Sequence, residues 1–253
     1  MNVFVSGLVW VAGAALVAAC VAYLVRRIGA TEGTVENNEA AGQVFTLVGG
    51  LQAVLVAFVL ISLFDGASAA EDGSYTEADS VVAAVWAADS LPEPARVEIA
   101  KTARSYARTV LEDEWPRMRD GRPVGDAGWQ ELSDLRRMVA AAPARDEWTV
   151  DQKSEASERL WSAYQARQER LNTVTSGGVN SVVWFALVAG ALMSLALPLL
   201  FGGPRPLTHI LIVSTLAATM TLLLFATHEL QNPYSGGAAV QPAAFVSALD
   251  RLR

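Results

Sequence analysis

Four long apolar runs without a charged residue set the strongest limit on how this chain can fold. They contain 23, 21, 22 and 18 residues and cover Val3 to Val25, Val44 to Phe64, Val179 to Leu200 and Ile210 to Thr227. Each is close to the roughly 20 residues that a helix needs to cross about 30 Å of hydrocarbon. Because lipid offers no partner to an open backbone donor, such a run crosses the membrane as a helix. The sequence therefore predicts four transmembrane helices.

The first run is predicted to be a retained anchor. A secretory signal peptide starts with basic residues and has an apolar stretch of about 7–15 residues. This run is longer, and its flanking arginines, Arg26 and Arg27, follow it. The single cysteine, Cys20, lies inside the run. With one cysteine, we expect neither a disulfide framework nor a thiolate metal site.

The rest of the chain reads as a helical insert and a tail. Apolar residues recur at helical spacing through the insert, with no period-two alternation. We predict one helix with Thr76 as its N-cap, a second beginning at Pro94, and a last one from about Thr149 towards Asn172. The fold class is therefore all-α, with four transmembrane helices and a helical extramembrane domain inserted between the second and third spans. The predicted segments are 1–64 with two spans, 65–178 as the extramembrane domain, 179–230 with two spans, and 231–253 as a C-terminal tail.

Charge limits the partners and gives a first view of orientation. The segment from Asp65 to Gly178 holds 14 basic and 21 acidic residues. Its net charge of -7 equals that of the whole chain. A nucleic-acid binder presents a basic face, so that class is excluded. Short loops on one face hold three arginines, against two near the spans on the other face; these are Arg26, Arg27 and Arg205, against Arg167 and Arg170. The positive-inside rule then favours an insert outside the cytoplasm.

Several segments, in the order in which they occur, carry a resemblance to one family. They are "NNEAAGQVFTLVGGLQAVLVAFVLISLFD" from Asn37, "LPEPAR" from Leu91, "SYARTVLEDEWPRMRDG" from Ser105, "RQERL" from Arg167 and "NPYSGGAAVQPAAF" from Asn232. The chain resembles the bacterial, largely actinobacterial, bestrophin-like membrane protein family of unknown function. The use of 17 arginines and two lysines suits a GC-rich genome of that kind. One departure is Asn232, which stands where the family motif has an Asp before the proline.

The resemblance implies an oligomeric ion channel of the bestrophin type in the bacterial inner membrane. Bestrophins are pentameric anion channels in which the second span lines the pore. The implied partners are therefore the lipid bilayer, further copies of this chain and inorganic anions. The resemblance also places the insert in the cytoplasm, opposite to the side that the arginines favour.

Gln52, near the middle of the second span, is the first candidate site. A polar amide at that depth faces another helix or a water-filled passage rather than lipid. In one interpretation it makes an interhelical contact. In the other, Gln52, Val56 and Val59 form a pore-lining stripe whose apolar part acts as a dewetting constriction.

The second candidate site is the acidic run Glu112, Asp113 and Glu114. Oxygen ligands suit Ca²⁺ or Mg²⁺, which makes a cation site one interpretation. Consecutive helical residues point about 100° apart, however, which favours a solvated helical turn. One of these acids could also pair with an arginine such as Arg108. Trp115 is expected to bury its ring.

No enzyme is predicted. The sequence has no Gly-rich phosphate loop, no G-x-S-x-G elbow and no H-E-x-x-H motif, and it has two histidines in all. No cofactor is expected. Two functions remain: the oligomeric channel, and a non-conducting, membrane-anchored interaction or regulatory protein whose helical insert binds a partner.

Overall fold

The computed structural model describes residues 3–28, 38–176, 178–199 and 206–253, and within these ranges the chain is helical without a strand. The elements in order are α1 (Val3–Ile28), α2 (Asn38–Ala88), α3 (Ala95–Thr109), a π-helical turn (Val110–Glu114), α4 (Trp115–Arg119), α5 (Ala127–Ala141), α6 (Glu147–Ser176), α7 (Ser181–Leu199), α8 (Pro206–Glu229) and α9 (Ala243–Arg251). The all-α prediction is confirmed. Arg205, on which the orientation prediction partly depends, and Asn37, which begins the first matching motif, lie outside the described ranges.

The chain divides into two compact units. One, which we call the membrane unit, combines Met1–Phe64 with Gly178–Gln231. The other, the polar unit, combines Asp65–Gly177 with Asn232–Arg253. The segment after the last span therefore packs with the insert rather than standing as a separate tail.

In the part of the chain that the structure describes, four helices are long and apolar enough to cross a membrane, and the prediction of four spans is confirmed. The qualifying stretches are Val3–Val25, Gly42–Ala88, Ser181–Leu199 and Leu207–Glu229. The second stretch, at 47 residues, is more than twice as long as the roughly 20 residues that a bilayer requires. Charged side chains begin at Asp65, so the part suited to hydrocarbon ends near Phe64.

The prediction of a new helix capped by Thr76 is wrong. α2 continues without interruption through this position. Thr76 Oγ1 donates instead to the carbonyl of Asp72 at 2.9 Å, the bond that a threonine makes inside a helix. No proline interrupts the chain between the apolar run and Ala88, so the backbone ladder has no reason to end there.

In the membrane unit, α1 packs closely on α8. The contact is made possible by Gly7, where a Cβ atom would lie 2.7 Å from Cε1 of Phe225. Small residues let helices approach in this way where lipid gives no hydrophobic drive for association.

The polar unit has an apolar core built from α2, α3, α5, α6 and α9. α5 contributes Leu132, Leu135 and Val139, all at most 3% exposed. On α6 the large side chains of Trp161 and Tyr164 do not face the core, because they are 50% and 40% exposed. The buried stripe of α6 is instead formed by Ala156, Leu160, Ala163, Ala166, Arg167 and Arg170. A helix that buries two arginines points to a specific arrangement inside this unit.

Candidate functional sites

Five ionisable side chains meet inside the polar unit. This buried ionic cluster consists of Glu77, Tyr106, Glu114, Arg167 and Arg170, each at most 2% exposed. α2, α3 and the π-helical turn contribute one side chain each, and α6 contributes both arginines. Segments that are far apart in the sequence therefore meet at one point.

Hydrogen bonds join the buried ionic cluster into one network. Arg167 Nη1 and Nη2 donate to the two carboxylate oxygens of Glu114 at 2.9 and 2.5 Å. Arg170 bridges both acids, because its Nε and Nη2 donate to Glu77 at 2.7 and 3.0 Å and its Nη2 also donates to Glu114 at 2.9 Å. The Tyr106 hydroxyl donates to Glu77 Oε1. Bidentate arginine–carboxylate pairs form some of the strongest hydrogen bonds in proteins. The network therefore fixes the relative positions of these elements.

Two positive and two negative charges leave the buried ionic cluster neutral. Burial alone would lower the pKa of Arg170, but the charge and hydrogen bonds of Glu77 outweigh it and hold that pKa well above its ordinary value. Burial raises the pKa of Tyr106, and the neighbouring Glu77 raises it further. Tyr106 thus stays a protonated donor. Each charge is kept in the interior by its partners, since an unpaired one would be costly there.

The π-helical turn sets the position of Glu114. Its last backbone bond runs from the Trp115 N–H to the Val110 carbonyl, five residues earlier. Pro116 has no N–H, and its ring crowds the carbonyl four residues before it, which a regular α-helix cannot absorb. The wider turn just before this proline accommodates it. Trp115 is 5% exposed, as the sequence predicted, and Glu114 faces the interior beside it.

Aromatic rings enclose both arginines. The guanidinium carbon of Arg167 lies 4.6 Å from the ring centroid of Trp129, and that of Arg170 lies 5.6 Å from the ring centroid of Phe245. A cation over an aromatic face is attracted to it, more so where water is excluded. Because Phe245 belongs to α9, the C-terminal segment completes the enclosure.

The three acids singled out by the sequence have three different environments. Glu112 is exposed, and Asp113 pairs with Arg117 at 2.8 Å on the surface. The interpretation of a solvated turn is wrong for Glu114, whose carboxylate is buried because Arg167 and Arg170 neutralise it. The expected arginine partner is found, but it comes from α6 rather than from the same helix. Within the described part of the chain, no group of three or more His, Cys, Asp or Glu residues could hold a metal ion.

The lowered pKa of Glu114 predicts that the stability of the protein depends on pH in a measurable way. Burial alone would raise this pKa, but hydrogen bonds from Arg167 and the charges of both arginines lower it below its ordinary value of 4.5. A lowered carboxyl pKa contributes stability above the ordinary value, and that stability is lost as the pH falls through the lowered one. We expect the difference in thermal midpoint between the wild type and Glu114→Gln to be constant from neutral pH down to about 5 and to shrink below about 4.5.

The control for this experiment is Glu112→Gln, which changes an exposed carboxyl two residues earlier. Its midpoint should follow that of the wild type through the acid range. If the difference between the wild type and Glu114→Gln grew as the pH fell, the lowered pKa of Glu114 would be contradicted.

In the membrane unit, Gln52 contacts α7. Its side chain is 4% exposed, and its Nε2 donates to the Leu187 carbonyl at 3.0 Å. Gly190 faces the amide so closely that a Cβ atom there would overlap Gln52 Oε1 and lie 2.8 Å from its Cδ. Val56, one turn further along α2, is also 4% exposed, while Val59 is half-buried. These residues therefore lie towards the interior of the single chain.

Gly190→Ala is expected to destabilise the membrane unit by about 1–3 kcal/mol, because the added methyl group must displace a hydrogen-bonded amide. The readout is the thermal midpoint of the purified protein in detergent. Gly49→Ala is the matched control, since a Cβ atom there meets nothing within 4 Å. Equal effects of the two substitutions would show that the close approach of Gln52 to Gly190 does not limit stability.

The features above define a multi-pass helical membrane protein with a helical polar unit built around paired charges. Comparison with known proteins makes this more specific. The chain belongs to the bestrophin-like family, because the family model described as Bestrophin-like domain matches residues 12–245.

Solved structures show the same fold. A bacterial bestrophin homologue from Klebsiella pneumoniae, carrying a leucine-to-threonine substitution, superposes with a TM-score of 0.67 at 14% identity, over 100% of this chain and 98% of that one. A variant of the homologue with an isoleucine-to-threonine substitution gives a TM-score of 0.62 at 14% identity, over 99% and 97% of the two chains. A crystal structure described as a membrane protein with a proline-to-alanine substitution gives 0.67 at 14% identity, over 99% and 97%. No curated protein matches the chain.

Proposed function

We propose that this protein is the subunit of a homo-oligomeric anion channel in the bacterial inner membrane, with α2 lining the path. The observation that carries the proposal is the match to the bestrophin-like family over residues 12–245, supported by a fold shared with a bacterial bestrophin homologue along the whole chain. The proposal assigns the protein no catalytic activity and no nucleic-acid partner. Its partners are lipid, further copies of the chain and small anions.

The burial of α2 side chains indicates which face of this helix would line the path. An axial path between subunits is formed by side chains that the single chain leaves uncovered. Gln52 and Val56 are covered within the chain, so we assign them to helix packing. A different stripe of α2 is more than half exposed and recurs at spacings of four and three residues: Leu47, Leu51, Val54, Phe58 and Ile61. An apolar stripe of this kind suits a constriction that gates by excluding water.

Phe58→Ala is the variant that tests this assignment. The protein is purified in mild detergent, its stoichiometry is measured by light scattering, and chloride flux is followed after reconstitution into liposomes. We expect a ring of several copies and a higher flux for Phe58→Ala, because a smaller apolar side chain widens the constriction. Phe185→Ala is the matched control, since Phe185 on α7 is 74% exposed but lies on another helix. Flux unchanged by Phe58→Ala would remove this stripe from the path, and a monomer without flux would contradict the channel.

A surface on α6 favours the second function, a non-conducting protein that binds a partner. Trp161 and Tyr164 stack with their ring centroids 5.2 Å apart and are 50% and 40% exposed. Exposed aromatic pairs are enriched where proteins bind one another. Trp161→Ser with Tyr164→Ser separates the two functions. If the variant loses both the oligomer and the flux, the pair lies between subunits of a channel. If the wild type conducts no ions and cross-links to a cellular protein that the variant no longer binds, the second function is supported.

A further inference from the structure

A groove runs along the membrane unit between α1, α7 and α8. It has a volume of about 800 Å³. Its most deeply buried lining residues, Val213 and Ala217 of α8, are each 1% exposed and form its floor. On α1 the wall includes three small residues, Gly13, Ala14 and Ala18, which leave room beside the helix. The groove is therefore a depression within the spans rather than a surface loop cleft.

The lining of the groove excludes polar ligands. Of the fourteen residues that line it, Trp10 and Thr221 are the two with a polar side-chain atom. A polar or charged ligand placed there would lose its hydrogen bonds to water and gain almost none in return. All lining residues belong to three of the helices that qualify as membrane spans. The surrounding medium is therefore hydrocarbon, and the ligand that matches both lining and medium is a hydrocarbon chain.

The dimensions distinguish between the two apolar occupants of a membrane, a helix and an acyl chain. The lining follows α1 from Val9 to Val21, which at 1.5 Å per residue is a length of about 18 Å. The volume of about 800 Å³ divided by that length gives a mean cross-section of about 44 Å². A helix with its side chains is about 10 Å wide and needs about 80 Å². A helix from a second copy can seat only part of its width in such a groove, whereas an unbranched chain is narrow enough to lie inside it.

We propose that this groove binds an acyl chain of a membrane phospholipid, held along α1 over the floor formed by α8. The chain gains little from leaving other lipid tails, since these are as apolar as the groove. Its binding comes from close packing, because it fills a space that would otherwise leave the lining atoms without contacts. A lipid held in this way is expected to stay with the protein on mild solubilisation. The inference does not depend on whether the protein conducts ions.

The test uses the full-length protein in vesicles of phosphatidylethanolamine that carries a photoactivatable diazirine in one acyl chain. After illumination, labelled residues are located by mass spectrometry. We expect label on Ala217 in addition to the outward-facing Ile212, which is 55% exposed and contacts any surrounding lipid. In Ala14→Leu/Ala18→Leu, which fills the groove, the label on Ala217 should be lost while that on Ile212 remains.

The control is Ala12→Leu/Ala186→Leu, which adds the same side chains at two exposed span positions outside the groove. It should leave the label on Ala217 unchanged. Native mass spectrometry of the wild type supplies a readout that needs no variant, with one phospholipid expected to remain per chain in mild detergent. Label on Ala217 that persists in the filled variant, cross-links from Ala217 to a second copy, or a wild type that keeps no phospholipid would each overturn the proposal.

Discussion

Arg170→Met is expected to destabilise the polar unit by about 3–5 kcal/mol, the cost of breaking a buried ion pair from one side. Arg170 donates to both Glu77 and Glu114. Without it, two carboxylates share one remaining arginine, and the interior carries a net negative charge. Hydrogen exchange of peptides from α6 in the detergent-purified protein measures the loss as a roughly 150- to 5,000-fold fall in protection.

Two further variants make the Arg170→Met experiment decisive. Arg159→Met removes an arginine from the same helix that pairs with Glu155 at 2.6 Å on the surface, and its effect should stay within about 0.5 kcal/mol. Glu77→Gln/Arg170→Met restores a neutral interior and keeps an oxygen for the Tyr106 hydroxyl. This double variant should be more stable than Arg170→Met alone. If it is less stable, the uncompensated charge is not the cause of the loss.

Gly128→Ala is expected to be nearly as damaging, at about 3 kcal/mol, because one methyl group is forced into the buried ionic cluster. A Cβ atom at this position would overlap Glu114 Oε1 and lie 2.6 Å from Arg167 Nη2. Neither atom belongs to a free side-chain end, since the two groups are bound to each other. The methyl group therefore has to separate a buried pair or move the start of α5.

The matched control for Gly128→Ala lies in the loop before α5. Gly125→Ala adds the same atom where nothing lies within 4 Å. Thermal unfolding of the two variants in the same detergent compares them directly. A Gly128→Ala protein as stable as Gly125→Ala would show that the Glu114–Arg167 pair is loosely held, against the geometry described above.

The fold was readable from the sequence because lipid imposes a simple rule. A span needs only length, apolarity and the absence of charge, and these are local properties of each run. The end of α2 was harder to predict. Beyond Phe64 the same helix continues, but its side chains become polar. This change in polarity was interpreted as the start of a new helix.

The buried ionic cluster was not predictable in the same way. Its acids stand 37 residues apart at Glu77 and Glu114, and their arginine partners follow much later in the sequence. In the sequence, Arg167 and Arg170 counted only as basic residues near the spans on one face, and charged residues are rarely buried unless they are paired. One local signal was present. The positions Ala156, Leu160, Ala163, Arg167 and Arg170 repeat at spacings of four and three, which places both arginines on the apolar side of α6.

Gln52 shows an intermediate case. Its depth in the span predicted that it would avoid lipid, and the structure places it against α7. The identity of its neighbour could not follow from composition, because any small residue on a facing helix would have served. Gly190 is recognised as the partner only once the two helices are seen together.

The interleaving of the two units along the chain has a consequence for biosynthesis. The polar unit is built from Asp65–Gly177 and Asn232–Arg253, with the last two spans encoded between these segments. Phe245, which covers Arg170, is therefore synthesised after both of these spans. Domains usually fold in the order of synthesis, but here the buried ionic cluster lacks the ring of Phe245 until α7 and α8 have been synthesised. The insertion machinery thus handles α7 and α8 while the polar unit still lacks α9.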